Sequence, residues 1–153
     1  MTSITGMRRE YLAREIANVL ESQGIRVAQL EQRELRKALK RWKETFAPTQ
    51  SRRSRADLWT PLAFEDGLSV RDEEAIEAYF GTHGGAFLCV LDYEQIGFRC
   101  ESEALPSYTA ISQMVGTLTL AAVYLVGGLF DWTFVVTSEQ DAYGGPFFCD
   151  ART

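Results

Sequence analysis

Residues 86–101 read AFLCVLDYEQIGFRCE. AFLCVLD is a continuous apolar run of strand length, and IGFRCE alternates so that Ile96, Phe98 and Cys100 share one side, which predicts two adjacent antiparallel strands. Downstream the pattern continues as a meander. LAAVYLV, 120–126, leads into Gly127-Gly128, a pair suited to a two-residue hairpin turn; FDWTFVVTS, 130–138, an acidic turn and PFFCD, 146–150, follow. Within FDWTFVVTS, Trp132, Phe134 and Val136 take one face and Thr133, Val135 and Thr137 the other, as in a strand with one buried face. Residues 104–116 read as a polar-spotted connection around Pro106 with a helical turn at 110–114.

Upstream of residue 81 the period changes to that of helices. Leu12, Ile16, Val19 and Leu20 form one stripe over 7–23, with Thr5 as N-cap and Gly24 as the stop. Residues 25–30 alternate briefly, an extended connection or a short edge strand. Over 31–47 Leu35, Leu39, Trp42 and Phe46 face one way, and Arg33, Arg36, Lys37, Lys40, Arg41 and Lys43 occupy the rest before Pro48. The stretch PTQSRRSRA, 48–56, predicts an exposed basic loop. Leu58, Trp59, Leu62 and Phe64 cluster after it; Ser69 then opens a capping pattern ahead of a short acidic helix over 72–80, with Ala75, Ile76, Tyr79 and Phe80 inward. Helices before 81 and strands after 85 predict an α+β fold: N-terminal helices packed on an antiparallel sheet of four or five strands.

The 153 residues suit a single domain spanning 1–153. With 46% apolar and 24% charged residues, the composition is that of a folded globular chain. The N-terminal residues carry charge throughout and have no apolar core like that of a signal peptide, so a cytoplasmic location is expected. Residues 104–130 lack charge, but Pro106, the interspersed Ser and Thr, the Gly-Gly pair and the acidic flanks argue for buried strand against a membrane span. Net charge is −5, yet it divides sharply: residues 1–56 hold thirteen Lys and Arg against six Asp and Glu, and residues 57–153 hold three against fifteen. Such a division marks either internal pairing or an exposed surface that steers an oppositely charged partner.

Few residues suit chemistry. His83, the one histidine, lies in a THGG turn; Cys89, Cys100 and Cys149 fall at apolar strand positions, where free thiols pack as small hydrophobes. Spacings of 11 and 49 residues match no zinc module, and the glycines form no phosphate-binding loop, so no cofactor is expected. The aromatic residues of the basic helix face the core, so nucleic acid is a poor fit. Carboxylates dominate instead: Asp72, Glu73, Glu74 and Glu77 on one helix, and Glu101 and Glu103 after a strand.

The segment DWTFVVTSEQDAYGGPFF, 131–148, resembles the signature of a family of small uncharacterised bacterial proteins, D-W-T-[FWY]-V-x-T-H-E followed by G-P-[FY]-F. LRKALKRWKETFAP, DLWTPLAFEDG and DEEAIEAYF are similar to its earlier segments, so the likeness runs loosely from 24 to 149. Ser138 stands where that pattern has His. Asp131, Trp132, Thr137, Glu139, Gly145 and Pro146 carry the motif here, as a fold-stabilising corner or as a site. The family resembles immunity proteins of bacterial toxin systems. That resemblance implies a non-enzymatic inhibitor of a cognate toxin, and Asp72, Glu73, Glu77, Glu101 and Glu103 are the expected contacts to a basic protein partner. Self-association through the basic half is a further expectation. The competing reading is a small enzyme or metal protein using Cys89, Cys100, Cys149 and His83, or the corner Asp131, Thr137 and Glu139.

Overall fold

The computed structural model describes residues 4–47, 59, 62 and 69–151; the expected loop at 48–56, with Leu58 and Phe64, lies outside them. Helix α1, Ile4–Ser22, buries Leu12, Ala13, Ile16 and Leu20. It begins before Thr5, which is therefore inside the helix and not its cap. Gly24, at φ +80°, turns the chain out, with its N–H on the Glu21 carbonyl and that of Ile25 on the Leu20 carbonyl. Strand β1, Arg26–Gln29, leads to helix α2, Gln32–Phe46. The Glu34 carboxylate accepts from the Glu31 N–H at 3.3 Å and closes the first turn of α2.

Strand β2, Val70–Arg71, runs directly into helix α3, Asp72–Phe80. The expected Ser69 cap does not form, because Val70 and Arg71 stand between Ser69 and the helix and Arg71 occupies the N-cap position; the Ser69 hydroxyl donates to the Leu62 carbonyl at 3.1 Å. Strands β3, Gly85–Leu91, and β4, Ile96–Ser102, form the anticipated hairpin. Helix α4, Tyr108–Leu118, extends the helical turn expected at 110–114 into a full helix; Ser107 Oγ caps it by accepting from the Ala110 N–H at 3.1 Å. Strands β5, Ala122–Gly127, and β6, Trp132–Thr137, the short helix α5, Gln140–Tyr143, and strand β7, Phe147–Asp150, complete the described chain. The β5–β6 turn has four residues, not two, and Phe130 takes the left-handed conformation at φ +54°. Gly128 serves close approach instead: its N–H donates to the Ala86 carbonyl at 3.0 Å, and a Cβ there would lie 2.9 Å from that oxygen.

The fold is α+β, and the described strands form one antiparallel sheet ordered β1-β4-β3-β5-β6-β7-β2. Its seven strands exceed the expected four or five: β1 lies in the stretch 25–30 that reads as a connection or short edge strand and does stand at an edge, whereas β2, two residues long, carries too little alternation to read. Helices cover both faces. On one, α1, α3 and α4 bury Ile16, Tyr79 and Ile111 against Phe87, Phe98, Leu125 and Phe134. On the other, α2 with Trp59 and Leu62 buries Leu35, Trp42 and Phe46 against Val90, Tyr124, Val126 and Val135. Strand β6 is therefore buried on both faces, not one. Thr133, polar and fully buried, accepts from Trp42 Nε1 at 2.9 Å and donates to the Leu125 carbonyl at 2.9 Å. Among the described residues no helix is long and apolar enough to cross a membrane.

Candidate functional site

At the sheet end formed by the start of β3, the end of β4 and the β5–β6 turn, the loop 81–84 lies between two hollows. The larger, about 450 Å³, is lined by Thr82, His83, Gly84, Leu129, Asp131 and Trp132. The smaller, about 300 Å³, lies between Phe80 and the 103–108 segment, with Glu103, Leu105 and Tyr108 in its wall. Gly84 holds the loop down, since a Cβ there would collide with the Ser102 and Glu103 carbonyls. Beneath it, Tyr79 stacks on Phe134 with centroids 4.1 Å apart, and its buried phenol donates to the Pro106 carbonyl. Burial also pushes that phenol well above its ordinary pKa, so it acts as a neutral donor.

Two large apolar side chains stand out beside these hollows: Phe80 is 80% exposed and Leu129 82%. Phe80 was expected in the core. The buried stripe of α3 is Ala75 and Tyr79, and one residue later the helix has rotated Phe80 away from it. Glu73, Glu77 and Phe80, at i, i+4 and i+7, instead form an outward stripe, each exposed. Leu129 had no signal in its neighbours except its place at the tip of a turn.

The expected contact carboxylates divide. Glu73, Glu77 and Glu103 lie on the side of α3. Asp72 is used locally: its Oδ1 accepts from the Gly145 N–H at 2.9 Å, and its own N–H donates to the Pro146 carbonyl at 2.9 Å. Glu101 alternates with the inward Cys100, so it faces the α2 side, where it pairs with Arg26. Five carboxylates in sequence thus become three on one surface.

The motif residues also separate. Asp131 precedes β6 and lines the larger hollow, whereas Thr137 ends that strand about 20 Å away. Thr137 Oγ1 accepts from the Glu139 N–H at 3.1 Å, and the Glu139 carbonyl starts α5 by accepting from Ala142 and Tyr143. The corner Asp131, Thr137 and Glu139 therefore does not assemble. Trp132 is core, stacked on Phe148 at 6.2 Å; the Gly145-Pro146 peptide is cis, and Asp72 accepts from the Gly145 N–H.

The cysteines do not converge either. Cys89 and Cys100 belong to the core under α1, Cys149 packs on the opposite core, and His83 is exposed in the loop. Burial pushes the Cys89 thiol up and that of Cys100 to about 12, so both remain protonated and poor as nucleophiles or ligands. Among the described residues no group of three or more His, Cys, Asp or Glu is arranged to hold a metal ion. This end of the molecule exposes Phe80 and Leu129 beside hollows whose walls include Glu103 and Asp131. Comparison of the chain with family models, with curated proteins and with solved structures finds no match.

Proposed function

We propose that the chain is a non-enzymatic binding protein that docks a basic protein partner on the surface formed by the outward stripe of α3 and the two hollows, and that it acts as an immunity-type inhibitor of a cognate toxin in the cytoplasm. The observation that carries this reading is that Phe80 and Leu129, 80% and 82% exposed, stand beside the two hollows, with Glu77 on the outward stripe of α3 and Glu103 and Asp131 in the hollow walls. Apolar anchors inside a polar rim are the anatomy of a contact surface, where a few large side chains supply most of the affinity. Carboxylates in the rim speed encounter with a positive partner. A nuclease is such a partner, because it needs cations to hold phosphates. The likeness of 131–148 to a family that itself resembles immunity proteins supports the inhibitory form of the reading.

Coexpression with the protein encoded beside it tests this. The neighbour is expected to be toxic alone, to copurify with the chain, and to regain toxicity beside Phe80→Ala/Leu129→Ala, whose affinity should fall by about 30-fold or more. A neighbour that is harmless and fails to copurify, or full protection by the double variant, overturns the proposal.

A further inference from the structure

Part of the charge division of the sequence becomes a division across the sheet, carried by α2 and α3, while α1 with Arg8, Arg9 and Arg14 shares the α3 face and Glu101 the α2 face. On one face α2 turns Arg33, Arg36, Lys37 and Lys40 to solvent, opposite its buried Leu35, Trp42 and Phe46. On the other, α3 carries Asp72, Glu73, Glu74 and Glu77 with no cation in the helix. These two sets cannot neutralise each other within one molecule, because the sheet and both cores lie between them. Two ion pairs join the basic and acidic halves among the described residues, Arg26–Glu101 and Arg99–Glu34, and neither uses the four outward cations of α2 or the carboxylates of α3.

We infer that the α2 face of one copy docks on the α3 face of a second copy of this chain. The spacing suits it: Arg33, Lys37 and Lys40 recur at i, i+4 and i+7, and Glu73 and Glu77 at i and i+4, so two surface helices lying side by side present rows of opposite charge. A polyanion fits less well. The chain carries −5 overall, and no aromatic side chain of α2 is exposed for a base to stack on, since Trp42 and Phe46 are buried. The geometry also fixes the form of the association. Because α2 and α3 lie on opposite faces, one two-fold contact cannot engage both, and the contact is head-to-tail, adding copy after copy as a filament unless its rotation closes a ring. The same association covers Glu73 and Glu77 in all but the terminal copy, so a second copy and a toxin compete for α3. That competition rests on the proposed function; the self-association does not.

Sedimentation over about 1 µM to 1 mM tests the contact, at about 20 mM and about 500 mM salt, between which the screening length shortens severalfold. At low salt the weight-average mass is expected to climb with concentration past that of a dimer, and at high salt to return to that of a monomer. Arg33→Glu/Lys37→Glu/Lys40→Glu and Glu73→Lys/Glu74→Lys/Glu77→Lys should each remain monomeric at low salt with unchanged far-UV circular dichroism. Mixed together, the two variants should associate again. A wild-type monomer throughout, association that survives the α2 variant, or a mixture that stays monomeric overturns the inference. So does tight capture of a short oligonucleotide by a wild-type chain that shows no self-association, which would assign the α2 cations to a polyanion. Toxin binding measured at high salt, where copies are apart, reports on the proposed function separately.

Discussion

Trp42 shows how a single residue couples α2 to the sheet. Its ring meets Tyr124 edge-on at 5.0 Å, and its Nε1–H supplies the hydrogen bond that makes a buried threonine tolerable at position 133. Trp42→Phe keeps an aromatic ring but leaves Thr133 without that donor and opens space beside it. Loss of about 1–2 kcal/mol is expected, read as a lower urea midpoint at unchanged slope. Glu94 makes the opposite kind of compromise. One carboxylate oxygen accepts from the Ala121 N–H at 3.1 Å, while the other is buried without a hydrogen-bond partner. Desolvation by burial raises its pKa above that of an unfolded chain. Between those two values the folded state holds more protons, so this group favours folding at low pH and its contribution is lost as pH rises through the raised value. Glu94→Gln keeps an acceptor for Ala121 and removes the charge. Its stability relative to wild type should therefore improve from about pH 4 to about pH 7, measured as the difference in urea midpoints, and a constant difference would disprove the assignment. The core positions Leu35, Trp42 and Phe46 were legible from helical spacing. Thr133 was not, because a polar residue in an alternating strand reads as solvent-facing, and its partner is 91 residues away.

Elements with a long, consistent period were legible: α1, α2 and the β3–β4 hairpin lie where their patterns place them. Helix α4 was legible only as a turn at 110–114, because Thr109, Ser112, Gly116 and Thr117 dilute its stripe of Ile111, Met114 and Val115. Its start was nevertheless written in Ser107, whose hydroxyl caps the helix, while Ser69 carried the same residue type and caps nothing. The difference is physical. Ser107 directly precedes its helix, whereas Val70 and Arg71 of β2 stand between Ser69 and α3, and Arg71 takes the N-cap position. Ser107→Ala is expected to cost about 1 kcal/mol through the loss of the cap. Ser69→Ala should leave the amide exchange of the first turn of α3 unchanged, whereas Ser107→Ala should speed exchange at Ala110. Equal protection loss at both helix starts would show that Ser69 acts as a cap after all.

At the scale of the molecule, the layering was the least legible feature, because a one-dimensional pattern gives the period of a helix but not the sheet face it covers. The carboxylates of the candidate surface were legible as residue types. Their grouping was not, since it depends on Asp72 being used by Gly145 and on Glu101 pointing across the sheet. Two-sided burial also has an energetic consequence. Strand β5 gives Val123 and Leu125 to the core under α1 and Ala122, Tyr124 and Val126 to the core under α2, and β6 divides in the same way. A strand with both faces packed cannot lose one layer without loosening its hold on the other, so the two cores should melt together. Phe134→Ala on the α1 side and Phe46→Ala on the α2 side are each expected to cost about 3–5 kcal/mol. In both variants near-UV and far-UV signals should follow one coincident urea transition. A split transition in Phe46→Ala, with the α1-side core persisting after α2 has gone, would show that the layers on either side of the sheet are separable units.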